Sequence, residues 1–207
     1  MRTLYTFGDS ILDCGHYNDH ALDPGQLIVR NDDRLFPEFA GRDLASRGPA
    51  RLEHRAVDGA TVEDLPSQVR GRIVAEEAVA AIVTVGGNDL LSSLFYEMEP
   101  GIDAFAADLD AFLRALPIRP VLVGNVYDPT CGDDARNFLG IDPRAARSAL
   151  RLLNAAIAEV AARHGVLVDL HAHFLQNGGP SWFTRTIEPS LVGASEVRRV
   201  VLDLLLS

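Results

Sequence analysis

The chain has 207 residues, 47% apolar and 23% charged, which is enough to bury a sizeable core and argues against a disordered polypeptide. A net charge of −10 weighs against nucleic acid or an anionic membrane as partner. Two cysteines, Cys14 and Cys131, form neither a disulfide framework nor a metal-binding pattern, so reduced thiols are expected.

The opening "MRTLYTFGDS" lacks an apolar core of signal-peptide length, and no apolar run is long enough to span a membrane. A cytoplasmic protein without membrane contact is the expectation. "TLYTF" (3–7) reads as a buried strand, and Ser10 is expected to open the helix after it. "LFPEFAGRDLASRG" (35–48) predicts a helix stopped by Gly48. "LEHRAV" (52–57) is more mixed and predicts an edge strand. "TVEDLPSQVRGRIVAEEAV" (61–79) has a capping signal in Thr61 and Asp64, with Pro66 and Gly71 as breakers.

"AAIVTVG" (80–86), "PVLVGN" (120–125) and "GVLVDL" (165–170) are three further buried strands. Between them, "GIDAFAADLDAFLRAL" (101–116) and "DPRAARSALRLLNAAIAEVAARHG" (142–165) have helical periodicity. In the second, Leu150, Leu153, Ile157 and Val160 share a face, Pro143 suits the first turn and Gly165 the stop. "GASEVRRVVLDLLL" (193–206) closes the chain with a stripe of Val197, Val200, Val201 and Leu204. Strand–helix alternation without repeats or a linker predicts one α/β domain over 1–207, its parallel sheet covered on both faces. Ligands bind such sheets at the carboxyl ends of the strands. Ser10, Gly59, Asn88 and Asp128 all fall there.

Ser10 follows the first strand in a Gly-Asp-Ser turn, where a hydroxyl is exposed and backbone N–H groups lie close by. Serine is also a preferred helix cap, so the other strand ends matter. "VDGATVEDL" places Gly59 after the second strand, where a bare backbone N–H can approach a ligand. "VGGNDLL" places Asn88 and Asp89 after the third, and an Asn amide is a good neutral donor to developing negative charge.

"FGDS", the Gly of "DGAT" and "GGND" together resemble the SGNH (GDSL) hydrolase family, in order, spacing and strand-end placement. The resemblance covers essentially the whole chain. It implies a three-layer α/β/α sandwich, flavodoxin-like, with a five-stranded parallel sheet of order 2-1-3-4-5. It further implies ester hydrolysis through an acyl-enzyme, without metal or organic cofactor. Ser10 would be the nucleophile, and its own N–H, the Gly59 N–H and the Asn88 side chain the oxyanion hole.

The family's Asp-x-x-His before the last helix is missing. "SWFTRTIEPSLVGASEVRR", aligned on Pro189, places Arg185 at the Asp position and Glu188 at the His position. Glu188 is therefore the candidate base. A neighbouring Arg185 would pair with it and hold its pKa near or below that of a free Glu. Pro189 would fix the backbone there, and Ser190 would cap the final helix.

Of six histidines, His164 suits a helix C-terminus and His54 a strand. His171 and His173 follow the fifth strand, while His16 and His20 lie close to Ser10 in sequence; these four remain alternative bases. Asp9, Asp89, Tyr127 and Asp128 are candidate substrate contacts, although Asp128 before Pro129 is also ordinary turn chemistry. Arg30, Asp32 and Asp33 form a polar loop that either lines a pocket or is simply solvated. A third reading gathers Asp9, Asp89 and Asp128 around a divalent cation.

Two readings follow. One is a serine hydrolase acting on a small-molecule ester or an acylated glycan. The other is a non-catalytic descendant that binds an acyl or glycan ligand. Acyl length, alcohol and oligomeric state are not legible.

Overall fold

The computed structural model describes residues 1–96, 101–137 and 139–206. Five parallel strands form the central sheet: β1 (Arg2–Gly8), β2 (Ala50–His54), β3 (Ala78–Thr84), β4 (Val121–Gly124) and β5 (Val166–Val168), in the order 2-1-3-4-5. The register pairs Tyr5 with both Glu53 and Ala81, and Val83 with Val123. The parallel sheet is the one expected from the alternation, and the flavodoxin-like three-layer order is the one the family resemblance implies. β2 lies at the edge, as its mixed composition implies.

Alternate residues of β1 feed opposite cores. Tyr5 and Phe7 pack with Ala81 and Val83 against α4 (Ile102–Ala115) and α5 (Pro143–His164), through Leu109, Leu113, Leu153 and Ile157. Leu4 packs with Ile82 and Leu122 against α1 (Pro24–Val29) and α7 (Leu191–Leu205), through Leu27, Ile28, Val197 and Val201. α5 starts as the sequence predicts: Asp142 accepts from the Ala145 N–H at 3.0 Å, and Pro143 occupies the first turn.

Two expected helices are much reduced. Residues 35–48 form only short 3₁₀ turns at Pro37–Phe39 and Ala45–Arg47. Side chains capture the backbone there. Asp43 accepts from the N–H groups of Asn31 and Ser46, and Asn31 donates to the Phe36 carbonyl. Arg198, fully buried on α7, stacks under this segment 3.6 Å from the Phe39 ring centre. Within 61–79, a 3₁₀ turn at Val62–Asp64 leads into the short helix α2 (Leu65–Gln68). Gly71 then takes φ +94°, which a helix does not permit. The six-residue α1 is not apparent from periodicity. Its signal is the reciprocal box between Asp23 and Gln26, with both bonds at 2.8 Å.

The remaining elements are α3 (Gly87–Phe95), α6 (Leu170–Asn177) and a two-stranded antiparallel hairpin, β6 (Phe183–Thr184) and β7 (Glu188–Pro189). Among the described residues, no helix is long and apolar enough to cross a membrane.

Candidate active site

Gly8 ends β1 at φ +121°, with both of its peptide groups held. Its N–H donates to Gln68 Oε1 at 2.7 Å, and its carbonyl accepts from Gln68 Nε2 at 2.8 Å and from the Val57 N–H at 2.8 Å. Gln68 sits in an interrupted helix, and nothing in the sequence marks it. Asp9 is the next fixed point. Its Oδ1 accepts from Thr84 Oγ1 at 2.8 Å and from the Ile11 N–H at 3.2 Å. Its carbonyl accepts from Leu12 and Asp13, making a single turn rather than the regular helix expected after Ser10. Ser10 is presented on that turn, nearly buried.

Glu188 arrives from the other end of the chain. Arg185 and Thr186 are both left-handed, at φ 45° and 81°, and reverse the chain so that Glu188 pairs with Thr184. Ser190 Oγ accepts from the Gly193 N–H at 3.2 Å and caps α7 as expected. This brings the Glu188 carboxylate beside the Ser10 hydroxyl on the wall of one cavity, near enough for that hydroxyl to act on its pKa.

The expected ion pair between Arg185 and Glu188 does not form among the described residues. Arg185 instead lies over the Tyr17 ring, 5.1 Å from its centre, and acts on Glu188 only as a more distant charge. The expected depressed pKa is overturned as well. Burial pushes the Glu188 carboxyl above its ordinary value; Asp58 adds to this, while the Ser10 hydroxyl, His16 and Arg185 oppose it. A proton acceptor with a raised pKa is better matched to neutral pH than a salt-bridged one. Asp9 is pushed up to about 6, mainly by burial. Its proton is held more tightly in the fold than in the unfolded chain. The resulting stabilisation is full below the free Asp value of ~3.9 and is lost as pH rises through the folded value.

Asn88 opens α3 and donates through Nδ2 to the Ala60 carbonyl at 3.0 Å, with one amide hydrogen left over. Gly59 is exposed beside Ala60 at φ +79°, in a turn closed by the Ala60 N–H on the Val57 carbonyl at 3.1 Å. Asp9, Ser10, Asn88, Tyr127, Asp128 and Glu188 all line one cavity of about 130 Å³; Gly59 does not line it. Tyr127 is fixed by its hydroxyl donating to the Ile187 carbonyl at 2.8 Å. Asp128 accepts from the Thr130 N–H at 2.8 Å and from Arg147 Nε at 3.3 Å.

Asp89 is placed elsewhere. Its carboxylate accepts from the Val62 N–H at 3.2 Å and 3.3 Å, and it lines a separate groove. Asp9, Asp89 and Asp128 therefore do not gather, and no group of three metal-ligating side chains converges among the described residues. Arg30, Asp32 and Asp33 border a different groove beside α1.

Of the histidines, His173 contacts Glu196 at 2.9 Å, and neither it nor His171 lines the Ser10 cavity. His16 contacts Asp58 at 3.2 Å and reaches Glu188 only as a neighbouring charge. His20 is exposed and does not line the cavity. Cys14 is buried beneath the Ser10 turn, and its thiol is pushed up by burial; Cys131 is half-buried, and neither borders the cavity.

Residues 6–193 match the family model described as the GDSL-like lipase/acylhydrolase family. No curated protein matches the chain significantly. Among solved structures, a variant of Axe2, an acetyl xylan esterase from Geobacillus stearothermophilus, superposes with a TM-score of 0.71 at 20% identity, covering 99% of this chain and 94% of the other. LAE5, an alpha/beta hydrolase from the metagenome of Lake Arreo, Spain, gives 0.70 at 21% identity, with the same coverage of 99% and 94%. A lipase/acylhydrolase from Enterococcus faecalis gives 0.68 at 20%, covering 99% and 95%. At such identities the likeness is one of fold.

Proposed function

Because the chain belongs to the GDSL-like lipase/acylhydrolase family and is thereby a hydrolase of ester bonds, we propose that it cleaves carboxylic esters through an acyl-enzyme on Ser10, with Glu188 as general base. The observation that carries this reading is that Ser10, Glu188 and Asn88, drawn from the two ends and the middle of the chain, line the wall of one cavity, with the Ser10 hydroxyl beside the Glu188 carboxylate. Glu188 takes the serine proton as Oγ attacks the ester carbonyl, then returns it to the leaving alcohol. The Ser10 N–H, the Gly59 N–H and Asn88 Nδ2 donate to the oxyanion. Water, deprotonated by the same carboxylate, releases the acid. The substrate is a small-molecule ester or an acylated glycan, and the chemistry needs no metal or organic cofactor.

A fluorophosphonate probe tests the nucleophile. The wild-type chain should label once, at Ser10, and Ser10→Ala should neither label nor turn over an activated ester. A wild-type chain that resists labelling would reduce the site to a binding pocket.

Asn88→Ala should lower kcat by roughly 10²–10³, the scale of one lost oxyanion donor. KM should change little, because the donor acts on charge that develops only in the transition state. Steady-state kinetics on a p-nitrophenyl ester would show it. An unchanged kcat would remove Asn88 from the oxyanion hole.

A further inference from the structure

The cavity beside Ser10 has a long apolar wall that an acetyl group would leave empty. α3 runs outward from Asn88, and Leu91 and Leu94 both line the cavity. At ~1.5 Å per residue, six residues carry this wall about 9 Å from the oxyanion donor. Leu139, Ile141, Leu150 and Ile187 complete the apolar lining from the segment before α5, from α5 itself and from the β6–β7 hairpin. Of the ionisable residues that line the cavity, Asp9 and Glu188 stand at the Ser10 end, and Asp128 and Arg147 are spent on each other and their neighbours. Arg147 Nε lies 3.3 Å from Asp128 Oδ2, Arg147 also pairs with Asp134, and Asp128 accepts from Thr130.

Resting on the assignment of Ser10 as nucleophile, we propose that this cavity is an acyl site for an unbranched aliphatic chain of about six carbons, making a hexanoyl-type ester rather than an acetyl ester the preferred substrate. The volume agrees with the length. The cavity holds about 130 Å³, and a dry apolar cavity of roughly 150 Å³ accommodates a six-carbon benzene ring. A neutral, apolar wall favours a methylene chain over a sugar, whose hydroxyls would be left without partners. The alcohol portion, glycan or otherwise, remains outside.

The test is kcat/KM across p-nitrophenyl acetate, butyrate, hexanoate and decanoate. Each buried methylene is worth about fourfold, so the four added by hexanoate should raise it over acetate by roughly 250-fold, and decanoate should gain nothing further. Leu94→Trp, which fills the far end, should lower the hexanoate-to-acetate ratio at least tenfold. Ile141→Trp serves the same purpose from the loop side if the first variant does not fold. Acetate turned over as efficiently as hexanoate would overturn the acyl-site proposal while leaving Ser10 as nucleophile. If no ester is turned over, hydrolysis through Ser10 falls. Binding of the neutral amides to Ser10→Ala, followed by thermal shift, then decides: hexanamide binding well ahead of acetamide sustains the acyl site, and equal binding ends it.

Discussion

Glu188→Gln should reduce ester turnover by roughly 10²–10⁴, the range of a positioned general base, while the folded protein keeps or slightly gains stability. The two readouts separate for one reason. Burial raises the Glu188 pKa, so its ionised form is less favourable in the fold than in the unfolded chain. That cost is absent below the unfolded value of ~4.3 and grows as pH rises. Gln removes it and still offers Ser10 a carbonyl acceptor. In the wild type, kcat/KM should rise with pH as Glu188 ionises, with a midpoint above the ordinary carboxylate value. Glu188→Gln should abolish that limb. A variant that retains wild-type kcat, or a limb near ~6.5 that survives the substitution, would transfer the proton to a histidine, with His16 the nearest.

Gly8→Ala should be among the most destabilising substitutions in the chain, at about 4 kcal/mol. A Cβ at Gly8 would stand 1.6 Å from the Thr84 carbonyl oxygen and 2.7 Å from its carbon, at φ +121°. The obstacle is the backbone of the neighbouring central strand, which has no rotamer to change. Relief requires β1 and β3 to separate, or Gly8 to abandon its bonds to Gln68. Gly41→Ala is the control. It is also left-handed, at φ +73°, but has nothing within 4 Å. It should cost only about 1 kcal/mol of backbone strain. For a chain of this length the two should differ by roughly 10 °C in Tm. Equal losses would show that the strands can part at little cost.

The sheet was legible because its strands are short β-branched runs with helical segments between them, and the order 2-1-3-4-5 followed from the family resemblance. That Ser10, Asn88 and Glu188 meet at one cavity was legible because Ser10 and Asn88 stand in motifs of the resemblance and Glu188 aligns with its missing histidine. The residues that hold them were not. Gln68 clamps Gly8 from sixty positions away, and Thr84 fixes Asp9 from another strand, so neither has a local pattern to betray it. The raised pKa of Glu188 was not legible for a related reason. Arg185 is three residues away in sequence, but two left-handed residues turn it onto Tyr17. Burial then sets the carboxylate where a neighbouring cation was expected to. The loop at 35–48 failed as a helix because Asp43 and Asn31 offered its backbone better partners than its own next turn.

Glu188 rides on a hairpin separate from the five-stranded sheet, and Ser10 hangs from the first strand of that sheet. During synthesis Ser10, Gly59, Asn88 and every strand of the five-stranded sheet leave the ribosome before Glu188 does. A nascent chain can therefore complete its sheet and remain chemically silent. With Glu188 as the proposed base, reactivity switches on only when its hairpin docks, so that ester cleavage, or fluorophosphonate labelling at a given moment, acts as a clock for the late stage of folding rather than for its beginning.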